Sequence, residues 1–426
     1  MPKTRKVMII ERPQYLQKLI EAENNGAVKV VTGIRRCGKS YLVKTLFVDF
    51  LLKKGIPESD IIIIDLEDKQ QSAFKNPDYL LSYVNSKVVD ITHQYYVIID
   101  EVQKVTDFVD VVSSIALKSN VDVYVTGSNS KCLSKDVATE FRGRGDEIHM
   151  FPLSFSEFMT AFDGTVEDGW YEYMLYGGLP HSLTFKGESG KVTYLKNLYK
   201  TVYLNDIYER HDIENKEEFE ELVKIQASCI GSPTNPTNLA NTFKSVKKLQ
   251  SITDKTVSTY IEYIEDAFLI SKAERYDIKG KQYIGASNKY YFQDTGLRNA
   301  ILDFRQNEWN HIMENVIYNE LCIRGFNVDV GNVSVRRRDA DGVMRRFSLE
   351  VDFVANLGSR RYYIQSAWRM PDAGKIAQES QSLLGINDSF KKIIVVGENV
   401  PLTRDVNGIV TMGYKQFLLD TDSLDK

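Results

Sequence analysis

An α/β fold with a parallel sheet is what this sequence predicts, on three observations. Val28, Val30 and Val31, then Ile61–Ile64, then Tyr95–Ile99 form short apolar runs rich in β-branched residues, as expected of strands buried on both faces. The first run feeds Gly33-Ile34-Arg35-Arg36-Cys37-Gly38-Lys39-Ser40, an uninterrupted G-x-x-x-x-G-K-S. A helical segment follows at once, in which Tyr41, Leu42, Thr45, Leu46 and Phe47 can share a face.

That loop has the chemistry of a triphosphate cradle. Gly33 and Gly38 let the backbone pass close to an anion, so that the main-chain N–H groups of Ile34, Arg35, Arg36, Cys37, Lys39, Ser40 and Tyr41 can face its oxygens at a helix N-terminus. Lys39 is placed to reach the β- and γ-phosphates of ATP, and the Ser40 hydroxyl to ligate Mg²⁺.

Composition bounds the rest. A chain of 426 residues predicts two to four domains, and 43% hydrophobic with 26% charged residues is ordinary for a soluble globular protein. The net charge of −4 argues against a protein that coats nucleic acid, without excluding a local basic face. Cys37, Cys132, Cys229 and Cys322 are scattered with no C-x-x-C pair, and the five histidines show no metal-ligand spacing. The N-terminal apolar stretch is too short for a signal peptide, and there is no long apolar run. A cytoplasmic protein without membrane contact is expected.

In chain order, residues 7–24 predict an amphipathic helix broken near Pro13 and ending at Asn24-Asn25-Gly26. Ile61–Leu66 predicts a strand closed by Asp65 and Glu67, and a helix follows over Pro77–Val89. The run Tyr95–Ile99 ends in Asp100 and Glu101, the Walker B pattern. Ligands of parallel α/β sheets gather at the carboxyl ends of strands, which brings Asp100 beside Lys39 and Ser40. Asp100 is the candidate second Mg²⁺ ligand, and Glu101 the candidate that polarises the attacking water. Val121–Val125 predicts another strand, with Ser128 or Asn129 at its tip as a candidate sensor of the γ-phosphate or as a plain turn former. Ile148–Phe151 predicts one more strand, and Arg144 before it is the candidate arginine finger, with Arg142 as its rival.

DEVQ at 100–103, TGSNS at 126–130, GR at 143–144 and PLSFSEF at 152–158 together resemble a large prokaryotic family of predicted AAA+/STAND-type P-loop ATPases. Members often carry a C-terminal domain of unknown function. Gly177-Gly178-Leu179-Pro180 is similar to the Gly-Leu-Pro element with which STAND-type lids contact adenine, which implies a nucleotide contact at Pro180. The resemblance implies ATP binding and hydrolysis by an α/β core with a helical lid. It implies no particular substrate.

Residues 219–292 predict a winged helix. Helices are expected over Phe219–Ile230, after the Ser232–Pro236 break, and from Thr253 or Asp254. Ile270–Tyr276 and Lys289–Phe292, separated by Lys279-Gly280-Lys281, are expected to form the β-wing. Such a domain binds duplex DNA or protein. Nine Lys/Arg against six Asp/Glu from Pro236 to Phe292 make it only mildly basic.

The last segment has a different pattern. A helix over His311–Arg324 carries Glu314, strands are expected over Phe326–Gly331 and Ser334–Arg337, and two more hold Asp352 and Gln365. This order is similar to a PD-(D/E)xK nuclease-like fold, which implies metal ligation at Glu314, Asp352 and Gln365. Ala367 stands at the lysine position of that pattern, so the domain is expected to be degenerate. Arg336, Arg337, Arg338, Arg345 and Arg346 flank a turn and form either a nucleic-acid patch or a solvated hairpin.

The complete expectation is a P-loop core over 1–160, a helical lid over 161–215, a winged helix over 216–305 and a small nuclease-like α/β domain over 306–426. Mg²⁺-dependent ATP hydrolysis would work as a nucleotide-gated switch, with duplex DNA and a homo-oligomer as candidate partners. The alternatives are an ATP-gated DNA- or protein-binding module with negligible turnover, and an ATP-dependent metal nuclease.

Overall fold

The computed structural model describes residues 9–128, 141, 143–246, 252–285, 287–338 and 343–426. The chain divides into two compact units. One takes in residues through Pro152 with Asp266–Phe268; the other takes in Leu153–Glu265 and Leu269–Lys426.

The first unit opens with α1 (Pro13–Glu21). Pro13 starts this helix rather than breaking it, because proline's missing N–H has no intrahelical partner at the first position. There follow β1 (Val28–Thr32) and α2, which is α-helical at Lys39–Tyr41, a π-turn at Leu42–Phe47 and α-helical again at Val48–Lys53. Then come β2 (Ile61–Asp65), α3 (Pro77–Lys87), β3 (Tyr95–Asp100), α4 (Phe108–Ala116), β4 (Val121–Thr126) and β5 (Gly145–His149).

The strands form one parallel sheet in the order β2-β3-β4-β1-β5. Every residue of β1, β3 and β4 is buried, as expected of central strands covered on both faces, the charged Lys29 of β1 and Asp122 of β4 being buried as a pair. Strand β5 was expected over Ile148–Phe151 and lies three residues earlier. As an edge strand it needs only one buried face, so its sequence GDEIH carries no apolar run to mark it.

The second unit begins with α5 (Phe155–Ala161), opened by a capping box between Ser154 and Glu157, and α6 (Val166–Tyr176). Helices α7 (Glu188–Leu198), α8 (Lys216–Ser228), α9 (Pro236–Val246) and α10 (Asp254–Asp266) follow. Thr253 Oγ1 accepts from Thr256 N at 3.1 Å, so Thr253 caps α10.

The expected wing is divided. Ile270–Tyr276 is two strands, β6 (Ile270–Ala273) and β7 (Arg275–Asp277), and β8 (Gln282–Tyr283) precedes β9 (Lys289–Phe292). Strands β6 and β9 pair antiparallel by themselves, whereas the β7–β8 hairpin that holds Lys279 and Lys281 joins the large sheet through β10.

After α11 (Thr295–Ile301) and α12 (Trp309–Ile323) come β10 (Asn327–Arg338), β11 (Met344–Leu357) and β12 (Arg360–Ala367). The chain ends with α13 (Ala373–Leu384), β13 (Lys391–Val396), β14 (Thr403–Arg404), β15 (Val410–Gly413) and α14 (Tyr414–Leu419). The two strands expected at 326–337 are one, β10, bent by a register shift between Asp329 and Gly331. The mixed sheet runs β14-β15-β13-β12-β11-β10-β7-β8. Among the described residues no helix is long and apolar enough to cross a membrane.

Candidate functional site

The Gly33–Ser40 loop leaves the carboxyl end of β1 and closes on the N-terminus of α2. A Cβ at Gly33 (φ +135°) would lie 2.1 Å from the Met150 carbonyl oxygen, so no side chain fits there. Arg36 and Gly38 also have positive φ, the kind of backbone conformation from which anion-binding loops are built. Ile34 and Cys37 are fully buried, and Arg36 points to solvent. At Ile34 and Cys37 only the backbone is therefore available to a ligand.

Arg12, a residue the sequence did not flag, braces this loop. Its guanidinium donates to Cys37 O at 3.0 Å, to Phe151 O at 2.7 Å and to Pro152 O at 3.2 Å. Tyr15 OH accepts from Phe151 N at 3.0 Å. Helix α1 thereby ties the loop to the segment beyond β5. The only sequence signal was a basic residue at a proline-started helix.

The Lys39 ammonium donates to the carbonyls of Gly33 (2.8 Å) and Ile34 (3.1 Å). Ser40 Oγ donates to Asp100 Oδ1 at 2.9 Å, which brings the loop hydroxyl and the β3 carboxylate together as their motifs predict. Thr126 Oγ1, at the end of β4, donates to the same Asp100 oxygen at 2.5 Å. The other Asp100 oxygen pairs with Lys44 at 2.7 Å, and Lys44 also reaches Asp65 at 2.6 Å. Burial works against the Lys44 charge, but the hydrogen bonds it donates to Asp100 and Asp65, with their negative charges, outweigh burial and raise the pKa. Burial likewise works against the Asp65 charge, and Lys44 with the Glu67 N–H more than compensates, lowering its pKa.

Lys44 was missed, although it lies one helical turn after Ser40 and so on the same face. The oxygens of Ser40, Asp100 and Thr126 are hard ligands suited to Mg²⁺. Among the described residues no group of three or more His, Cys, Asp or Glu could hold a metal by itself. A hydroxyl, one carboxylate and substrate phosphates are the ordinary ligand set for that ion in a nucleotide site, so the residues fit it.

Glu101 has φ +57°, a left-handed conformation that non-glycine residues seldom adopt away from functional turns. Its N–H donates to Thr126 Oγ1 at 3.0 Å. Its carboxylate accepts from Ser128 Oγ at 3.0 Å and from the Gln103 amide. Ser128 thus sits at the site, held on Glu101, while Asn129 and Arg142 fall outside the described residues.

Arg144 is not brought to this loop. Its carbonyl accepts from Val28 N at 2.7 Å, at the opposite end of β1. A five-residue strand spans roughly 16 Å, too far for Arg144 to serve the P-loop of its own chain. Pro180 belongs to the second unit, where its neighbour Gly178 donates to Asp294 Oδ2 at 2.8 Å. Asp294 also caps α11 through Leu297 N at 2.9 Å. Burial pushes the Asp294 carboxyl up to about 6 even though these N–H groups favour its charged form.

The second unit holds its own carboxylate cleft, of about 800 Å³, lined by Glu314, Asp352, Gln365, His311, Trp368 and Lys375 among others. Glu314, Asp352 and Gln365 do come together. Asp352 Oδ2 accepts from Ser366 N at 2.8 Å, and Gln365 Oε1 lies 3.4 Å from both Asp352 N and Ser382 Oγ. Lys289, from β9, pairs with Glu314 at 2.9 Å and Glu350 at 2.6 Å. Tyr291 OH donates to the same Glu314 oxygen at 2.7 Å. Burial opposes the Glu314 charge, but Lys289 and His311 prevail and its pKa is lowered. Asp352, buried and facing the Glu314 charge, is pushed well above the carboxylate range. Lys375 and Arg369 pair instead with Glu379 (2.5 Å) and Glu398 (3.6 Å).

Residues 25–159 match a family model described as an AAA domain, and residues 167–308 match one described as a domain of unknown function. An uncharacterized protein of Haemophilus influenzae is 32% identical over 416 residues, covering 96% of this chain and 99% of that one. An uncharacterized protein of Methanocaldococcus jannaschii is 28% identical, covering 82% of this chain and 76% of its own length. Among solved structures, the Walker-type ATPase of Pyrococcus abyssi matches 71% of this chain and 98% of its own, with a TM-score of 0.51 and 16% identity. That likeness speaks for the fold.

Proposed function

The chain belongs to one family with the uncharacterized Haemophilus influenzae protein that it matches from end to end, and its residues 25–159 match an AAA domain; on that premise we propose that it binds and hydrolyses Mg·ATP. The observation that carries this reading is the 2.9 Å bond between Ser40 and Asp100, which joins the two motifs at one point.

In this proposal the loop N–H groups and Lys39 bind the triphosphate, its oxygens replacing the Gly33 and Ile34 carbonyls as acceptors for the ammonium. Ser40 and Asp100 hold Mg²⁺, which neutralises phosphate charge when bound. Glu101 takes a proton from the attacking water, its carboxylate aimed by Gln103 and Ser128. Lys44 orients Asp100. Arg144 acts in trans, on the nucleotide of a second copy of the chain. The second unit divides functionally into the lid at 161–215 with its adenine contact at Pro180, the winged helix at 216–305 and the nuclease-like domain at 306–426. Turnover of γ-labelled ATP by the purified chain, compared with Glu101→Gln, tests the reading. Equal rates would overturn it.

A second reading concerns the partner of the switch. In the β10–β11 ribbon Arg336 lies opposite Arg346. Like charges facing one another across strands destabilise the pairing. Lys279 joins them, its ammonium 2.7 Å from Ser334 O. Such a ribbon gains from a polyanion, and two strands fit the major groove of duplex DNA. Binding measured by anisotropy should weaken with salt, and Arg336→Ala should lower the log–log slope by about 0.9. No binding with or without ATP would leave the ribbon without this role.

A further inference from the structure

The Glu314 cleft gathers carboxylates, yet among the described residues no group of three or more His, Cys, Asp or Glu is placed to hold a metal, and a side chain already does an ion's work there. Three carboxylates, Glu314, Glu350 and Asp352, converge from α12 and β11. Gathered without a cation they would repel one another strongly in a buried setting. The Lys289 ammonium reaches Glu314 at 2.9 Å and Glu350 at 2.6 Å, and its charge also acts on Asp352. Lys289 is only 2% exposed.

Glu314 is closed in on its remaining sides. One of its oxygens takes both Lys289 and Tyr291. The other lies 3.8 Å from His311 Nδ1. A Cβ placed on Gly231 would stand 3.0 Å from that same oxygen, so the backbone of the Gly231 turn packs directly on the carboxylate. Little of Glu314 is left to offer an incoming ion.

We infer that Lys289 is a built-in cation that replaces a divalent ion among Glu314, Glu350 and Asp352, and that removing its ammonium turns the cluster into a divalent-cation site. The ammonium cannot act instead as a catalytic lysine at this cleft. Two of its three hydrogens are committed to carboxylates, and it reaches Glu314 without lining the cleft. The inference does not depend on ATP hydrolysis by the first unit.

The test uses the full chain, free of nucleotide, with Mn²⁺ as the probe and electron paramagnetic resonance of free Mn²⁺ as the readout. Wild type and Asp352→Asn should leave the same amount of Mn²⁺ free, because the wild-type cluster takes none. Lys289→Met should deplete the free signal, and adding Asp352→Asn to that variant should restore it. Unfolding of Lys289→Met should shift upward in Mn²⁺ and return in chelator, while wild-type unfolding does neither. Should Lys289→Met fail to fold alone, folding in Mn²⁺ supports the inference. Wild-type Mn²⁺ binding that Asp352→Asn removes would overturn it, as would a Lys289→Met chain that Mn²⁺ neither loads nor rescues.

Discussion

The two carboxylate sites are alike in residue type and opposite in what their lysine holds. Lys39 rests on two carbonyl oxygens, whereas Lys289 is clasped by two carboxylates, and both ammoniums are buried, at 5% and 2% exposure. A hydrogen bond from a charged donor to a carbonyl contributes about 1.5–3 kcal/mol, and a phosphate oxygen is a better acceptor. Pulling a buried ammonium from its carboxylates leaves unpaired charges, at about 3–5 kcal/mol. The first lysine can be handed to a ligand; the second is fixed. The carboxylates differ as well. Asp100 takes two hydroxyls on one oxygen and Lys44 on the other, and Glu101 takes a hydroxyl and an amide, while Glu314 is closed in by Lys289, Tyr291 and the Gly231 turn.

The comparison breaks first at Lys39. Lys39→Ala should lower kcat/KM for ATP by about 10³-fold, by analogy with the loss of one charge-stabilising donor, while the thermal unfolding of the chain barely moves. A variant that hydrolyses ATP at the wild-type rate would put the lysine in the same structural class as Lys289. Lys289→Met should do the reverse in metal-free buffer. It should cost about 3 kcal/mol of stability, read by denaturant unfolding, and leave ATP turnover at the wild-type rate.

How much of this could be read from residue order follows from distance along the chain. The loop and its partners were legible because phosphate chemistry demands contiguous residue types, Gly33 through Ser40, and strand-end carboxylates at Asp100 and Glu101. Glu314, Asp352 and Gln365, named from a resemblance, line one cleft, each being tied to a recognisable element. Lys289 was read as part of a wing, since nothing at 289 announces a partner 25 residues on at Glu314. Arg12 was invisible for a stronger version of that reason, two of its three carbonyl partners being 139 and 140 residues away. Strand β5 was misplaced because an edge strand does not need apolar residues on both faces. Arg144 lies at the end of β1 away from the loop, a relation that only the sheet order reveals.

Glu101→Gln sharpens the comparison within the first site. It should keep nucleotide binding and slow turnover by about 10²-fold, since the metal ligands survive and the proton acceptor does not. Parallel losses of affinity and turnover would place Glu101 among the binding groups instead.

A smaller effect is expected at Asp294, which contrasts with Glu314 in having N–H groups where Glu314 has an ammonium. Dipoles alone do not offset burial there, and its folded pKa is raised to about 6 from 3.8. A raised carboxyl pKa means that its favourable contribution is complete below 3.8 and is lost as pH rises through about 6. The total is on the order of 2–3 kcal/mol. Asp294→Asn should therefore flatten the fall in stability between pH 4 and 6 relative to wild type, measured by urea unfolding across that range. An unchanged pH profile would show that the carboxyl titrates normally.

The most direct test of the central contrast is Mn²⁺ binding by the wild-type chain, measured with and without a non-hydrolysable ATP analogue. The account predicts binding that requires the nucleotide, weakens in Ser40→Ala and is indifferent to Asp352→Asn. Binding that needs no nucleotide and disappears in Asp352→Asn would contradict it.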